Sequence, residues 1–340
     1  MEKIKLGIIF GGTSTEHDVS VVSGRAVLEH LNKDRYEIYP IYINKDGEWF
    51  EYNEINQSGN KIDNICEYLK QLEIAFPVLH GLYGEDGTIQ GLLEILNIPY
   101  VGSKVLGSSI CMDKAYAKVI FAKANIKQAE YVYIKKYEDN YIYVEKDFSE
   151  EICDIYEVMQ KTTEKLEFPM FVKPSNSGSS VGINKVNNIE ELKEAIENAG
   201  LFDKKILIEE GIKAREIECA VIGNEQPEAS ILGEIIAADQ FYSYDAKYNN
   251  KESKTIIPAD IPEHLSDKVR EIAKKAYKAT DCKGFARVDF FVNTEKEKIY
   301  INEINTIPGF TEISMFPKLW EATGVSYEKL LDQLVDLALK

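Results

Sequence analysis

The sequence predicts an α/β protein whose N-terminal domain is a doubly wound parallel sheet. Two observations carry this. Residues 3–10 form an Ile- and Leu-rich run, closed by Gly11-Gly12-Thr13-Ser14 and followed by a helical pattern over about 18–31. A strand, a tight glycine turn and a helix are how such a domain begins. Near the other end, residues 284–310, GFARVDFFVNTEKEKIYINEINTIPGF, contain two alternating runs joined by the charged Asn293-Thr294-Glu295-Lys296-Glu297, a pair of short strands and a hairpin.

Strand residues alternate faces. Arg287, Asp289 and Phe291 therefore share one face of the first run, and Ile301, Glu303 and Asn305 share one face of the second. Pairing of the strands brings Arg287, Asp289, Glu303 and Asn305 onto one patch. Two carboxylates and an amide carbonyl are hard oxygen ligands of the kind that suit Mg²⁺ or Mn²⁺, which keep positions for water and phosphate. A solvated polar face explains the alternation but not the grouping of acids with Asn, and the Pro308-Gly309 turn that follows adds weight to a site.

The chain's 340 residues suggest two or three domains. A hydrophobic share of 44% and a charged share of 29% fit an ordinary globular protein. Lys+Arg 40 against Asp+Glu 57 leaves −17, which argues against nucleic acid or an anionic membrane as partner. An anionic nucleotide then needs local cations, since charges beyond about 8 Å are screened at physiological salt. Cys66, Cys111, Cys153, Cys219 and Cys282 show no CxxC and read as reduced structural thiols. Residues 1–10 lack a signal-peptide pattern and no segment has 18 consecutive apolar residues, so the expectation is a cytoplasmic protein without a membrane span.

In order, Glu16 sits at the first turn, above the strand's carboxyl end where open α/β sheets bind ligands, while Asp18 reads as a helix cap. A second strand is expected over 35–43, a helix over 61–72 and a third strand over 74–79. That strand runs into His80-Gly81-Leu82-Tyr83-Gly84-Glu85-Asp86-Gly87, where His80 is either structural or a ligand contact. A short helix over 88–96 precedes a boundary near 102, and Lys114 opens a helix reaching about 124. Residues 131–168, Tyr-rich and acidic, read as a strand, an irregular excursion and a helix over about 150–166. Lys173 ends a strand and leads into Pro174-Ser175-Asn176-Ser177-Gly178-Ser179-Ser180-Val181-Gly182. Strands flank this loop, so it is a hairpin flap and not a Walker loop, and its amides and hydroxyls suit phosphate oxygens. Strands follow over 205–208, ending at Glu209-Glu210-Gly211-Ile212, over 215–222, with Glu216 and Glu218 on one face, and over 231–237. Residues 241–250 break all periodicity, either as a loop ordered over a site or as a Tyr-rich surface loop. Helices over 266–280 and 326–339 complete the pattern.

Two lysines, a Ser/Gly flap and a paired-strand acid patch amount to a nucleotide–Mg²⁺ site without a Walker loop. In order, GGTSTEHDVS, HGLYGEDGTIQG, GSSICMDK, FVKPSNSGSSVG, FYSYDAKY, GFARVDF and NEINTIPGFTEISMFPKLW resemble the motifs of the D-alanine–D-alanine ligases of the ATP-grasp superfamily, over residues 11–320. The resemblance implies a substrate domain at 1–102 and a two-part ATP-grasp α+β fold at 103–208 and 209–340. It implies ATP between two sheets, with Lys114 and Lys173 on its phosphates and Ser179, Ser180 and neighbouring amides closing over them. Glu209, Glu210 and Ile212 would hold the adenine or ribose side, Glu216 a ribose hydroxyl, and Lys247 would join the nucleotide-binding set. Asp289, Glu303 and Asn305 would hold two Mg²⁺ or Mn²⁺ ions. Glu16 would bind the ammonium of the first D-alanine, with His80 near its carboxyl group. Arg287 and the Gly309 backbone would stabilise the oxyanion, and Ser314 would hold the second D-alanine's carboxylate beside Met315. Tyr248 would link its loop to Ser179 and Glu16. A homodimer is also implied.

Two features depart from the family pattern: the length of 131–168, and an acid at Glu312, two residues before Ser314. The alternatives are a D-alanine–D-lactate or D-alanine–D-serine ligase, or a nucleotide-binding regulatory protein without turnover. Intact Arg287, Asp289, Glu303 and Asn305 weigh against the last.

Overall fold

The computed structural model describes residues 2–53, 59–178, 181–236 and 254–340. Its first part contains β1 (Ile4–Gly11), α1 (His17–His30), β2 (Tyr36–Ile43), β3 (Trp49–Glu51), α2 (Ile65–Leu69), β4 (Ile74–Pro77) and α3 (Thr88–Ile95). β1 runs parallel to β2 on one side and β4 on the other, and β3 adds antiparallel at the β2 edge. Alternation along β1 feeds two cores. Leu6, Ile8 and Phe10 pack with Val21 and Val27 of α1, while Ile9 joins Leu69, Leu93 and Tyr100 on the opposite face. The helix expected over 61–72 shrinks to α2. Lys61 bridges to Phe50 and the Ile62 amide donates to the Trp49 carbonyl at 2.8 Å, so this backbone is committed to the β3 edge.

α4 (Val105–Met112) and α5 (Lys114–Lys123) lead into a second sheet, built from β5 (Tyr131–Tyr137), β6 (Asn140–Val144), β7 (Glu150–Cys153), α6 (Ile155–Lys165), β8 (Met170–Pro174), β9 (Asn184–Val186), α7 (Ile189–Phe202) and β10 (Lys205–Glu210). Its order is β7-β6-β5-β10-β8-β9, with antiparallel pairs. Residues 131–168 are therefore not irregular: they form a three-stranded meander and then a helix that starts later than expected. Glu150 pairs with Val144 and Cys153 with Tyr141, which draws the acidic 150–153 segment into the sheet. A capping box then fixes the start of α6, with the Glu157 amide donating to Asp154 at 2.9 Å and the Asp154 amide to Glu157 at 2.8 Å.

The third sheet comprises β11 (Arg215–Ile222), β12 (Glu228–Ile236), β13 (Lys254–Ile256), β14 (Phe285–Asn293) and β15 (Lys298–Asn305), with α8 (Glu263–Ala279) on one face and α9 (Met315–Thr323) and α10 (Tyr327–Ala338) closing the chain. The order is β13-β12-β11-β14-β15, all antiparallel. Arg287 faces Asn305 and Asp289 faces Glu303, but Phe290 then faces Ile301. Asn302 is thus an extra residue, and this one-residue bulge inverts the alternation beyond it. Ile301, expected on the face of Glu303, is instead 1% exposed in the core with Phe290 and Val269 of α8.

The first and third sheets share a single core. Phe76 of β4, Phe285 of β14, Phe310 and Phe316 of α9 are fully buried, with ring centroids 5.4 to 6.1 Å apart. Phe76→Ala is expected to destabilise the protein by about 3–5 kcal/mol, the range for truncating a buried aromatic, and a urea titration reads the loss directly. Among the described residues no helix is long and apolar enough to cross a membrane, and all five cysteines are free thiols.

Candidate active site

Two cavities meet where the three sheets converge. The larger, about 660 Å³, opens between the second and third sheets. Lys173 and Glu209 of the β8–β10 face form one wall together with Glu210 and Ile212, and Glu216, Asp289 and Glu303 form the other. The smaller, about 180 Å³, lies under the first sheet's loops. Glu16, His80, Arg287, Asn305, Gly309, Ser314 and Met315 line it. Lys114, Ile183, Glu218, Arg287 and Glu303 belong to both walls and mark the junction. Ser179, Ser180, Lys247 and Tyr248 lie outside the described residues.

Charge at the junction is paired within β14 and between elements. The Arg287 guanidinium donates to both Asp289 oxygens at 2.7 Å and lies 3.1 Å from Glu218. Burial works against its charge, but Asp289 and Glu218 outweigh it and hold the group well above its ordinary range. Asp289 also accepts the Asn305 side-chain amide at 2.9 Å. Asp289 and Glu303 face each other directly, an arrangement that repels unless cations stand beside it. Arg287 supplies one such cation and Lys114, 3.4 Å from Glu303, another. Lys114 also donates to the Ser177 carbonyl at 2.8 Å, tying α5 to the start of the flap. The hard oxygens of Asp289, Glu303 and Asn305, gathered in register, fit a divalent cation.

On the opposite wall Lys173 rests on the Glu209 carboxylate, and Lys118 of α5 lies 2.6 Å from the other oxygen. Burial raises the Glu209 carboxyl, but the two ammoniums bring it down to about 2. Burial lowers Lys118, which also feels the charge of Lys173. Lys173 ends above its ordinary value, because Glu303 and Glu216 add to Glu209 against its burial. Lys118 carries no mark in the sequence that separates it from a solvated helix lysine.

Glu16 is buried where two loops converge. A Cβ on Gly81 would stand 2.6 Å from its carboxylate, and one on Gly178 would collide with it, so both backbones approach as only glycine permits. His80 is fully engaged: Nδ1 lies 2.9 Å from the Ile307 carbonyl, which fixes the proton there, and Nε2 accepts from the Ser23 hydroxyl at 2.9 Å. Burial pushes the imidazole below its ordinary pKa, consistent with a neutral ring. The Ser314 hydroxyl lies 2.7 Å from that of Thr311 and accepts the Thr311 amide at 3.0 Å, and a Cβ on Gly309 would stand 2.7 Å from it. Glu312 is exposed, whereas Thr311, Ile313, Ser314 and Met315 line the cavity.

A cleft between two antiparallel sheets, cationic on one wall and acidic on the other, beside a parallel-sheet unit that supplies a second cavity, is an ATP-grasp ligase architecture. Residues 5–103 match the family model "D-ala D-ala ligase N-terminus" and residues 120–336 match "D-ala D-ala ligase C-terminus". The chain belongs to the D-alanine–D-alanine ligase family. It is 49% identical to D-alanine–D-alanine ligase B of Clostridium tetani, over 100% of this chain and 94% of that protein. It is 48% identical to the D-alanine–D-alanine ligase of Clostridium acetobutylicum, over 99% and 98%. Among solved structures, the VanG D-Ala:D-Ser ligase from Enterococcus faecalis superposes with a TM-score of 0.86 at 35% identity, over 99% of this chain and 100% of that one. The D-alanine–D-alanine ligase from Bacillus anthracis complexed with ATP gives 0.78 at 32%, over 100% and 98%.

Glu85, part of the HisGlyLeuTyrGlyGluAspGly loop but given no role by sequence reading, accepts the Gly81 amide at 2.8 Å and the Ile307 amide at 3.0 Å. Burial first, and Glu16 second, push its carboxyl up to about 8 against those two hydrogen bonds. In the unfolded chain a glutamate titrates near 4.3, so across roughly pH 4 to 8 unfolding releases a proton. The stability from this group is full below that window and is lost as pH rises through it. Glu85→Gln is expected to flatten the fall in stability between pH 5 and 8, compared as urea midpoints at the two ends.

Proposed function

We propose that this chain joins two D-alanines into D-alanyl-D-alanine, a peptidoglycan precursor, while ATP is converted to ADP and phosphate. The observation that supports this reading is that the two cavities share Lys114, Arg287 and Glu303, so that a nucleotide in the larger would present its terminal phosphate to the smaller. ATP takes the larger cavity, with Lys114 and Lys173 on its phosphates, Glu209, Glu210 and Ile212 on the adenine side and Glu216 on the ribose. The family resemblance assigns Ser179, Ser180 and Lys247, which lie outside the described residues, to the same nucleotide. Asp289, Glu303 and Asn305 would hold Mg²⁺ or Mn²⁺, which would supply charge neutralisation to the transferring phosphoryl group.

In the smaller cavity Glu16 takes the first D-alanine's ammonium and fixes its carboxylate toward the junction. A carboxylate is a poor electrophile. Its oxygen attacks the terminal phosphorus, ADP leaves, and the second D-alanine's amine attacks the resulting acyl carbon, expelling phosphate. Arg287 and the Gly309 amide stabilise the oxyanion of that attack, and Ser314 holds the second carboxylate. An acyl phosphate hydrolyses readily, so the reaction requires that water be kept from the site. Neutral His80, held by Ile307 and Ser23, shapes the pocket near the first carboxyl. The dependence on ATP points to the cytoplasm. Exposed Ile95, Val105 and Leu106 on adjacent α3 and α4 offer apolar surface for a homodimer.

Glu303→Gln is expected to abolish ligation, because one charged oxygen of the metal set is lost. Near-normal turnover at millimolar Mg²⁺ would place the metal elsewhere. The likeness to VanG favours D-serine as the competing second substrate. Met315 presents no hydrogen-bond donor to a serine hydroxyl, and a site that accepts a proton from the incoming ammonium favours an amine over the hydroxyl of D-lactate. In equal mixtures of D-alanine, D-serine and D-lactate at pH 7.5, D-alanyl-D-alanine is the expected main product by chromatography. A dominant D-alanyl-D-serine or D-alanyl-D-lactate peak overturns the substrate assignment and leaves the ligase reading standing.

A further inference from the structure

Lys118 has no part in the reaction as set out above, yet it occupies a costly position. α5 carries Lys114 and Lys118 one turn apart on one face. Lys114 reaches the cavity junction. Lys118 turns beneath the wall instead, its side chain 3% exposed and its ammonium 2.6 Å from Glu209. The contact is short, and attraction between two buried opposite charges holds it. Glu209's other oxygen holds Lys173. Glu209 and Lys173 line the larger cavity, and Lys118 does not.

Two ammoniums on one carboxylate leave one positive charge over, and only Lys173 can present it to the cavity. A phosphate entering there competes with Glu209 for Lys173. When Lys173 turns to the phosphate, Glu209 keeps a partner only if Lys118 remains. A buried carboxylate stripped of its counter-ion is among the most destabilising arrangements in a protein. We infer that Lys118 is a positioning residue for nucleotide binding: the resident counter-ion of Glu209, which frees Lys173 for an incoming phosphate without stranding a buried carboxylate. This rests on the larger cavity being the nucleotide site.

The test is a double-mutant cycle on ATP affinity, measured by calorimetry with Mg²⁺ in the wild type, Lys118→Met, Glu209→Gln and the double variant. Lys118→Met is expected to weaken ATP at least tenfold, with the KM for D-alanine within twofold of the wild type. In the Glu209→Gln background the same change should cost less than threefold, because a neutral amide needs no counter-ion. A merely structural role would give equal losses in both backgrounds, and that result overturns the inference, as does a loss under threefold in Lys118→Met alone. If Lys118→Met does not fold, the double variant carries the test, since it removes the charge and its counter-ion together. It should fold and bind ATP within threefold of Glu209→Gln. A double variant that fails to fold, or that binds tenfold more weakly than Glu209→Gln, overturns the inference. A wild-type protein that does not bind ATP at all overturns the nucleotide reading itself, so the two failures are distinguishable.

Discussion

Taking a charged side chain out of water costs several kcal/mol unless an opposite charge goes with it. This molecule buries Lys173, Lys118, Glu209 and Asp289 within one cleft and partly buries Arg287 beside them. Its elements are arranged so that these acids meet bases, Asp289 from its own strand and the others from elsewhere in the chain. Glu209 of β10 is met from α5 and β8, Glu303 of β15 from α5, and Asp289 and Glu218 by Arg287. α5 is the brace between the sheets. Asp113 caps it, accepting the Ala115 amide at 3.1 Å and the Ser175 hydroxyl at 2.7 Å, which pins the helix start to the end of β8. Ala117 and Phe121 sink into the third sheet's core, and Ala115 meets Tyr133 and Leu207 of the second. One helix thus delivers two lysines to acids on two sheets, and those acids hold the ammoniums in place before any phosphate arrives.

The parts of this arrangement that sequence reading recovered are those whose signals are local. The run ending at Phe10, the Gly11-Gly12 turn and the helix after it declare themselves by period and by glycine. Arg287, Asp289, Glu303 and Asn305 were legible because alternation and strand pairing were enough to converge them, and the register bears this out. The same alternation misplaced Ile301, since a bulge at Asn302 leaves no compositional mark. The helix expected from about 150 starts later, because residues 150–153 pair as a strand and the capping box that sets the start lies at Asp154 and Glu157. α9 escaped notice because it is short and carries Pro317 in its first turn, where proline is tolerated. Lys118 was invisible for a different reason: its partner, Glu209, is brought to it only by the assembled second sheet.

The family resemblance went further than the residues alone, and its limits are also physical. It put His80 near a substrate carboxyl, and His80 does line the smaller cavity. Its two nitrogens are nevertheless spent on Ile307 and Ser23, and Ser23 in turn accepts the Phe310 amide at 3.2 Å. The ring therefore joins the first sheet's loop to the turn that carries Gly309. Glu16 was singled out for its place above a strand end. Its tight enclosure by Gly81 and Gly178 is a packing fact that needs both loops in place.

The two cavities differ in what holds their walls. The smaller lies between the first and third sheets, which share one apolar core through Phe76, Phe285, Phe310 and Phe316. Close-packed aromatic contacts resist displacement, so Glu16, Arg287 and Ser314 stand at fixed separations. The larger lies between the second and third sheets, whose cores are separate. Its opposing walls are joined through α5, which packs on both by Ala115, Ala117 and Phe121 and adds charge pairs at the cleft, Lys114 on Glu303 and Lys118 on Glu209. Charge pairs exchange partners more readily than packed rings do, and an entering phosphate offers the lysines a stronger partner than a carboxylate shared by two of them. Under the proposed function, the rigid cavity is the one that would hold two small substrates in reacting geometry, and the one whose ion pairs can be remade is the one that would take up and release a nucleotide.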